Sequence, residues 1–118
     1  MKQLSKSLFK LTELQMLRLI LDGCGLSYIG CLHIGRLISQ QVQLPELELS
    51  LRYNLIEFKG IQCLCSGLIE MKKIKRLKLV LDGTLVGDIA ANLLGKCLLK
   101  IRTLSNVELN MENCNLSG

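Results

Sequence analysis

The leucines of this chain return at a fixed interval of thirty residues. Leu17, Leu19 and Leu21 recur as Leu47, Leu49 and Leu51, then as Leu77, Leu79 and Leu81, and a fourth time as Val107, Leu109 and Met111. A period of this length constrains the fold strongly. Each unit carries one apolar face that cannot close on itself and is buried only when the next unit stacks against it. The composition suits such a core, with 49% hydrophobic residues and 3% aromatic ones in 118 residues, enough length to bury a useful interior once the units stack. Function is therefore expected on a surface of the stack, not in an enclosed pocket.

Within each unit the apolar pattern changes period. Leucines two apart point to one face of a strand, and four equivalent strands joined by long crossovers must run parallel. Cys24, Asn54, Thr84 and Cys114 stand where the chain leaves the strand, a position that needs a short side chain able to hydrogen-bond unpaired main-chain groups. Beyond the turn the spacing becomes helical: Ile61, Leu64, Leu68 and Met71 in one unit, Ala91, Leu94, Leu98 and Ile101 in the next. Gly30, Gly60 and Ala90 are equivalent small residues near each helix start, expected to let the helix backbone approach the sheet.

Written from Leu14, one unit reads L-x-x-L-x-L-x-L-x-x-C-x-L through Leu14, Leu17, Leu19, Leu21, Cys24 and Leu26. The counterparts are Leu44 to Ile56 through Asn54, Ile74 to Val86 through Thr84, and Leu104 to Leu116 through Cys114. These segments resemble the leucine-rich repeat family, whose signature is L-x-x-L-x-L-x-x-N/C-x-L, with one added L-x pair in the strand and a slightly long period. The form is similar to the ribonuclease-inhibitor-like type, and to repeats of single-celled eukaryotes that are sometimes attached to protein kinase domains. The resemblance implies an α/β fold: a right-handed leucine-rich-repeat solenoid with a short parallel sheet on the concave face and helices on the convex face. It also implies a protein-protein interaction module and scaffold.

In that register residues 1–118 form a single domain. Residues 1–13, with Leu4, Leu8 and Leu11 in the helical rows, are a helical cap or partial repeat; 14–43, 44–73 and 74–103 are repeats; 104–118 is a partial repeat. The last strand has no helix after it, so the chain is expected to be a fragment of a larger array, self-associating at its open ends or fraying at its C-terminus. One alternative is a regulatory repeat region of a larger enzyme such as a protein kinase.

Catalytic patterns are missing. Gly23, Gly25 and Gly30 only loosely echo a dinucleotide loop, and His33 is the single histidine, with Glu46 in a different element. There is no G-x-S-x-G, phosphate loop, H-E-x-x-H or kinase signature. Cys63 and Cys65 form a C-x-C pair without the second ligand pair that zinc requires. No enzymatic activity, cofactor or metal is expected. The six cysteines are expected to be reduced, with Cys24, Cys63 and Cys97 packed. No apolar stretch reaches membrane-spanning length, and Lys6, Lys10 and Glu13 interrupt the opening segment, so a cytoplasmic location is expected.

The remaining candidate is the outward side of the sheet. Arg18, Glu48, Lys78 and Glu108 form one row across the strands, and Asp22, Arg52, Asp82 and Glu112 another. With strands about 4.8 Å apart, each charge faces its opposite, except at the step from Asp82 to Glu112. Internal pairing is expected, and like charges would meet if a unit slipped. Between the rows lie Ile20, Ser50, Val80 and Asn110, read as unpaired and available, so that an aspartate at Ser50 is expected to leave stability unchanged. The candidate protein-binding residues are thus Arg18, Ile20, Glu48, Ser50, Arg52, Lys78, Val80, Glu108 and Asn110. With Glu46 and Arg76 this face holds four basic and six acidic residues, leaving plus seven of the chain's net plus five elsewhere. Lys72, Lys73 and Lys75 cluster at one helix end, and Lys96, Lys100 and Arg102 lie along another. They raise a second alternative, electrostatic binding of RNA or an acidic membrane through the convex lysines, but the aromatic interleaving that stacks bases is missing and nucleic acid is not expected.

Overall fold

The computed structural model describes residues 14–112. Four strands alternate with three helices along the chain: β1 (Met16–Ile20), α1 (Tyr28–Ser39), β2 (Glu46–Ser50), α2 (Glu57–Leu68), β3 (Arg76–Val80), α3 (Gly87–Lys100) and β4 (Asn106–Asn110). The strands make one parallel sheet in the order β1-β2-β3-β4, so the fold is α/β. Leu17, Leu47, Leu77 and Val107 are successive partners, as are Leu19, Leu49, Leu79 and Leu109. Main-chain pairing continues past the strands into the turns: Leu21 N donates to Ser50 O (2.8 Å), Leu51 N to Val80 O (2.9 Å) and Leu81 N to Asn110 O (2.7 Å).

The core lies between the sheet and the helices, as alternation along a strand and a helical stripe require. Leu47, Leu49, Leu51, Leu79 and Leu81 meet Ile61, Leu64, Leu68 and Leu94 in one buried cluster. The expected row of Ile61, Leu64 and Leu68 in α2, with Met71 just beyond it, is buried throughout. In α3 the row is shifted. Ala90, Leu94 and Cys97 point inward with Ile101, while Ala91 and Leu98 are only half-buried. Leu4, Leu8, Leu11, Cys114 and Leu116 lie outside the described residues.

The turn position behaves as its chemistry demands. Cys24 Sγ donates to Leu21 O (3.0 Å), and Thr84 Oγ1 to Leu81 O (2.6 Å), each closing its own turn. Asn54 does this and more. Its Nδ2 donates to Leu51 O (3.1 Å), Arg52 O (3.1 Å) and, across the sheet, Leu21 O (2.9 Å). Its Oδ1 accepts from Cys24 N (3.1 Å) and Leu26 N (2.9 Å). One amide therefore ties the turn after β2 to the turn after β1, with its own polar atoms fully used.

The small residues at the helix starts serve another purpose than the one expected. A Cβ on Gly30 would run into the Leu26 side chain, and one on Gly60 into Ile56. The space is taken by the inward residue four positions earlier, not by an approaching sheet. Where that residue is the shorter Val86, the position carries the Cβ of Ala90, fully buried.

Neighbouring helices meet at two different kinds of joint. Between α1 and α2, a Cβ on Gly67 would lie 2.7 Å from Gly35 Cα and would strike Gly35 O, and one on Gly35 would strike Cys63 O. The two backbones touch there. Thirty residues on, between α2 and α3, the equivalent positions are Cys65 and Cys97, with Cys97 Sγ 3.7 Å from Cys65 O.

Candidate functional site

The strand pattern sends Arg18, Glu48, Lys78 and Glu108 to the side of the sheet away from the core, and the register aligns them. Arg18 Nε lies 3.0 Å from Glu48 Oε2, and Lys78 Nζ lies 3.6 Å from Glu108 Oε2. Among the described residues Glu48 and Lys78 form no ion pair, so the row is two separate pairs, not one alternating chain. Beside it Arg76 Nη1 reaches Glu46 Oε1 at 3.6 Å. Exposed pairs of this kind each contribute at most about 1 kcal/mol.

The second row departs from expectation. Asp22 does not pair with the Arg52 guanidinium. It accepts from Arg52 N (2.9 Å) and from Ser50 Oγ (2.6 Å), while Arg52 Nε turns the other way, to 3.5 Å from Asp82 Oδ2. Asp82 Oδ1 accepts from Glu112 N (2.8 Å), which bridges the step where two acidic residues adjoin. Both aspartates thus extend the main-chain ladder by supplying an acceptor to the next strand.

Two of the nominated contact residues are not available. Ser50 is 5% exposed and Val80 2%. They sit on the central strands with a neighbour on each side, and Ser50 is closed off further by its bond to Asp22. An aspartate at Ser50 would face the Asp22 carboxylate, so the expected tolerance does not hold. Ile20, on the edge strand β1, is 51% exposed. Asn110 is half-buried, its Nδ2 donating to Glu108 Oε2 (3.4 Å).

What the sheet presents instead is a shallow trough of about 530 Å³ across β2, β3 and β4, walled by Glu46, Glu48, Arg76, Lys78, Asn106 and Glu108. The charged ends of Arg76, Lys78 and Glu108 stand well out into solvent. Such a trough offers both signs of charge at fixed spacing. Among the described residues no group of three or more His, Cys, Asp or Glu is placed to hold a metal ion. His33 is exposed on α1.

The described cysteines are all free thiols. Cys24 is exposed, contrary to the packing expected of it, because its turn lies at the β1 edge. Cys63 is half-buried, and Cys31, Cys65 and Cys97 are buried. Burial, with Cys63 nearby, pushes the Cys31 thiol up to about 12. Cys97 Sγ donates to Cys65 O (3.7 Å), and the contact between the two thiols raises Cys65 and, with Lys100 nearby, lowers Cys97 against the opposing pull of burial.

A sixty-residue alternation is laid over the thirty-residue period on this face. The run L-x-L-D-G occurs at 19–23 and at 79–83, but the unit between them reads L-S-L-R-Y at 49–53. Gly83 has φ +70° and a Cβ there would be 2.7 Å from Tyr53 Cε1, so the tyrosine ring of one unit lies in the space a side chain at the next would take. The aspartates that cap the ladder recur at the same spacing. Comparison of the chain with protein-family models finds no match, and comparison with curated proteins finds none either. No helix among the described residues is long and apolar enough to cross a membrane.

Proposed function

We propose that the chain is a segment of a right-handed leucine-rich-repeat solenoid that binds a protein partner on the outward face of its sheet. The observation that carries this reading is the trough across β2 to β4, where Arg76–Glu46 and Lys78–Glu108 hold exposed charges of both signs at fixed positions. Pre-positioned charges of both signs favour one orientation of a complementary protein surface and penalise others. The constant thirty-residue register supports the solenoid.

The binding residues on this reading are Arg18, Ile20, Glu48, Arg76, Lys78 and Glu108. A photo-reactive residue at Ile20 should cross-link a protein partner, and the double variant Arg76→Glu, Lys78→Glu should abolish that product while the circular dichroism spectrum is unchanged. The same probe at Leu99, exposed on α3, should not capture it. Binding that survives the sheet variant and is lost, with steep salt dependence, in Lys96→Glu, Lys100→Glu would replace this reading with an electrostatic helix-face binder.

A further inference from the structure

We propose that Cys65 and Cys97 are a modification site: a facing thiol pair between α2 and α3 that a peroxide-class oxidant converts to a disulfide. The placement rests on two independent observations. Cys97 Sγ lies 3.7 Å from Cys65 O, which puts the two residues side by side across the joint. The equivalent pair thirty residues earlier, Gly35 and Gly67, marks where adjacent helices come closest, a Cβ on Gly67 falling 2.7 Å from Gly35 Cα. Side chains at these positions therefore face each other at the crossing of two helices. A disulfide asks for Cβ atoms about 3.5–4.5 Å apart, and facing positions with one thiol in reach of the other residue's carbonyl are placed to approach that separation.

The pair is also reachable. Cys65 and Cys97 are 7% and 5% exposed, yet both line an open groove of about 580 Å³ between the helices, bordered by Ile69, Leu93, Lys96 and Lys100. A small neutral oxidant can enter it. Cys31, by contrast, is fully buried. The neighbouring Cys65 thiol and the charge of Lys100 hold the Cys97 thiol below its ordinary value, which makes it the attacking sulfur.

The chemistry balances with hydrogen peroxide as the co-reactant. The Cys97 thiolate attacks one peroxide oxygen and the O–O bond breaks; the departing hydroxide takes the proton that the thiol released and leaves as water. Cys97 is then a sulfenic acid. Cys65 attacks its sulfur, the S–O bond breaks, the Cys65 proton goes to the leaving hydroxide, and a second water departs as the S–S bond forms. Two thiols have lost two electrons and one peroxide has become two waters. The product clamps α2 to α3 at a joint held otherwise by side-chain packing.

Brief exposure of the native full chain to hydrogen peroxide, followed by alkylation and digestion without reductant, tests this. A peptide pair joined through Cys65 and Cys97, two hydrogens lighter than the reduced pair, should be the first disulfide to appear, and the melting temperature should rise and return on reduction. In Cys65→Ser the same exposure should leave Cys97 as a sulfenic acid that a dimedone probe captures. The proposal is overturned if the first link joins other cysteines, or if both thiols stay reduced while exposed Cys24 oxidises. It is equally overturned if the Cys65→Ser chain, folded by circular dichroism, gives no probe adduct at Cys97.

Discussion

The joint between the first and second units and the joint between the second and third occupy equivalent positions, yet they are built differently. At the first, Gly35 and Gly67 let two helix backbones touch, and Asn54 ties the turns together through bonds to Cys24 N, Leu26 N and Leu21 O. At the second, two thiols stand between the helices, and Thr84 closes its own turn at Leu81 O. Tight backbone contact leaves no room for change, whereas a side-chain interface repacks. The same sheet register thus accommodates one rigid joint and one adjustable joint.

Asn54→Ala should produce the largest loss, about 3 kcal/mol, because it strands partly buried donors and acceptors in two turns at once. Thr84→Ala should cost about 1 kcal/mol. Urea unfolding measures the difference, and hydrogen exchange should show new lability at the Cys24 and Leu26 amides. Equal losses at the two sites would erase the distinction between the joints.

Gly67→Val should cost about 2–3 kcal/mol, since the added carbons meet the Gly35 backbone and the helices must separate. Its counterpart Cys97→Val should cost about 1 kcal/mol or less. A Gly67→Val chain that melts with Cys97→Val would mean that the first joint is no tighter than the second.

The outward residues were the least legible part of the sequence. Strand register and the turn position followed directly from Leu47, Leu49, Leu51 and Asn54, because an apolar period of two and a turn's need for a polar side chain leave few alternatives. The joints did not, for a simple reason: Gly35 pairs with Gly67 and Cys65 with Cys97 at a spacing of thirty-two. An overlay at thirty hides them. Ser50 and Val80 are covered although they point outward, because alternation gives the direction of a side chain but not how deeply its neighbours cover it.

Thr84→Asn sharpens the comparison from the other side. An amide there should reach back towards the turn of the second unit as Asn54 does to the first, raising stability by about 0.5–1 kcal/mol. A gain confined to the second joint, read by hydrogen exchange around Asn54 and Ile56, is the expected result; a loss would show that the second joint cannot hold the staple.

The smallest effect concerns the charge row that crosses both joints. Glu48→Lys removes the pair with Arg18 and sets a third positive group beside Lys78, which should cost under about 1 kcal/mol and fade as salt is added. An unchanged midpoint at low salt would mean that Arg18 and Glu48 contribute nothing to the first joint.

The sixty-residue recurrence of Asp22 and Asp82, with Arg52 and Tyr53 between them, gives the stack a parity. Duplicating residues 44–73 would set one Arg52 beside another and crowd Tyr53 against a second Tyr53 where Gly83 now stands. Duplicating residues 44–103 would preserve the order of aspartate against arginine and tyrosine against glycine. Thermal melting of the two insertions should separate them, the odd one destabilised and the even one not. Across β1 to β3 the step that preserves these contacts is therefore the pair, although every strand is thirty residues from the next.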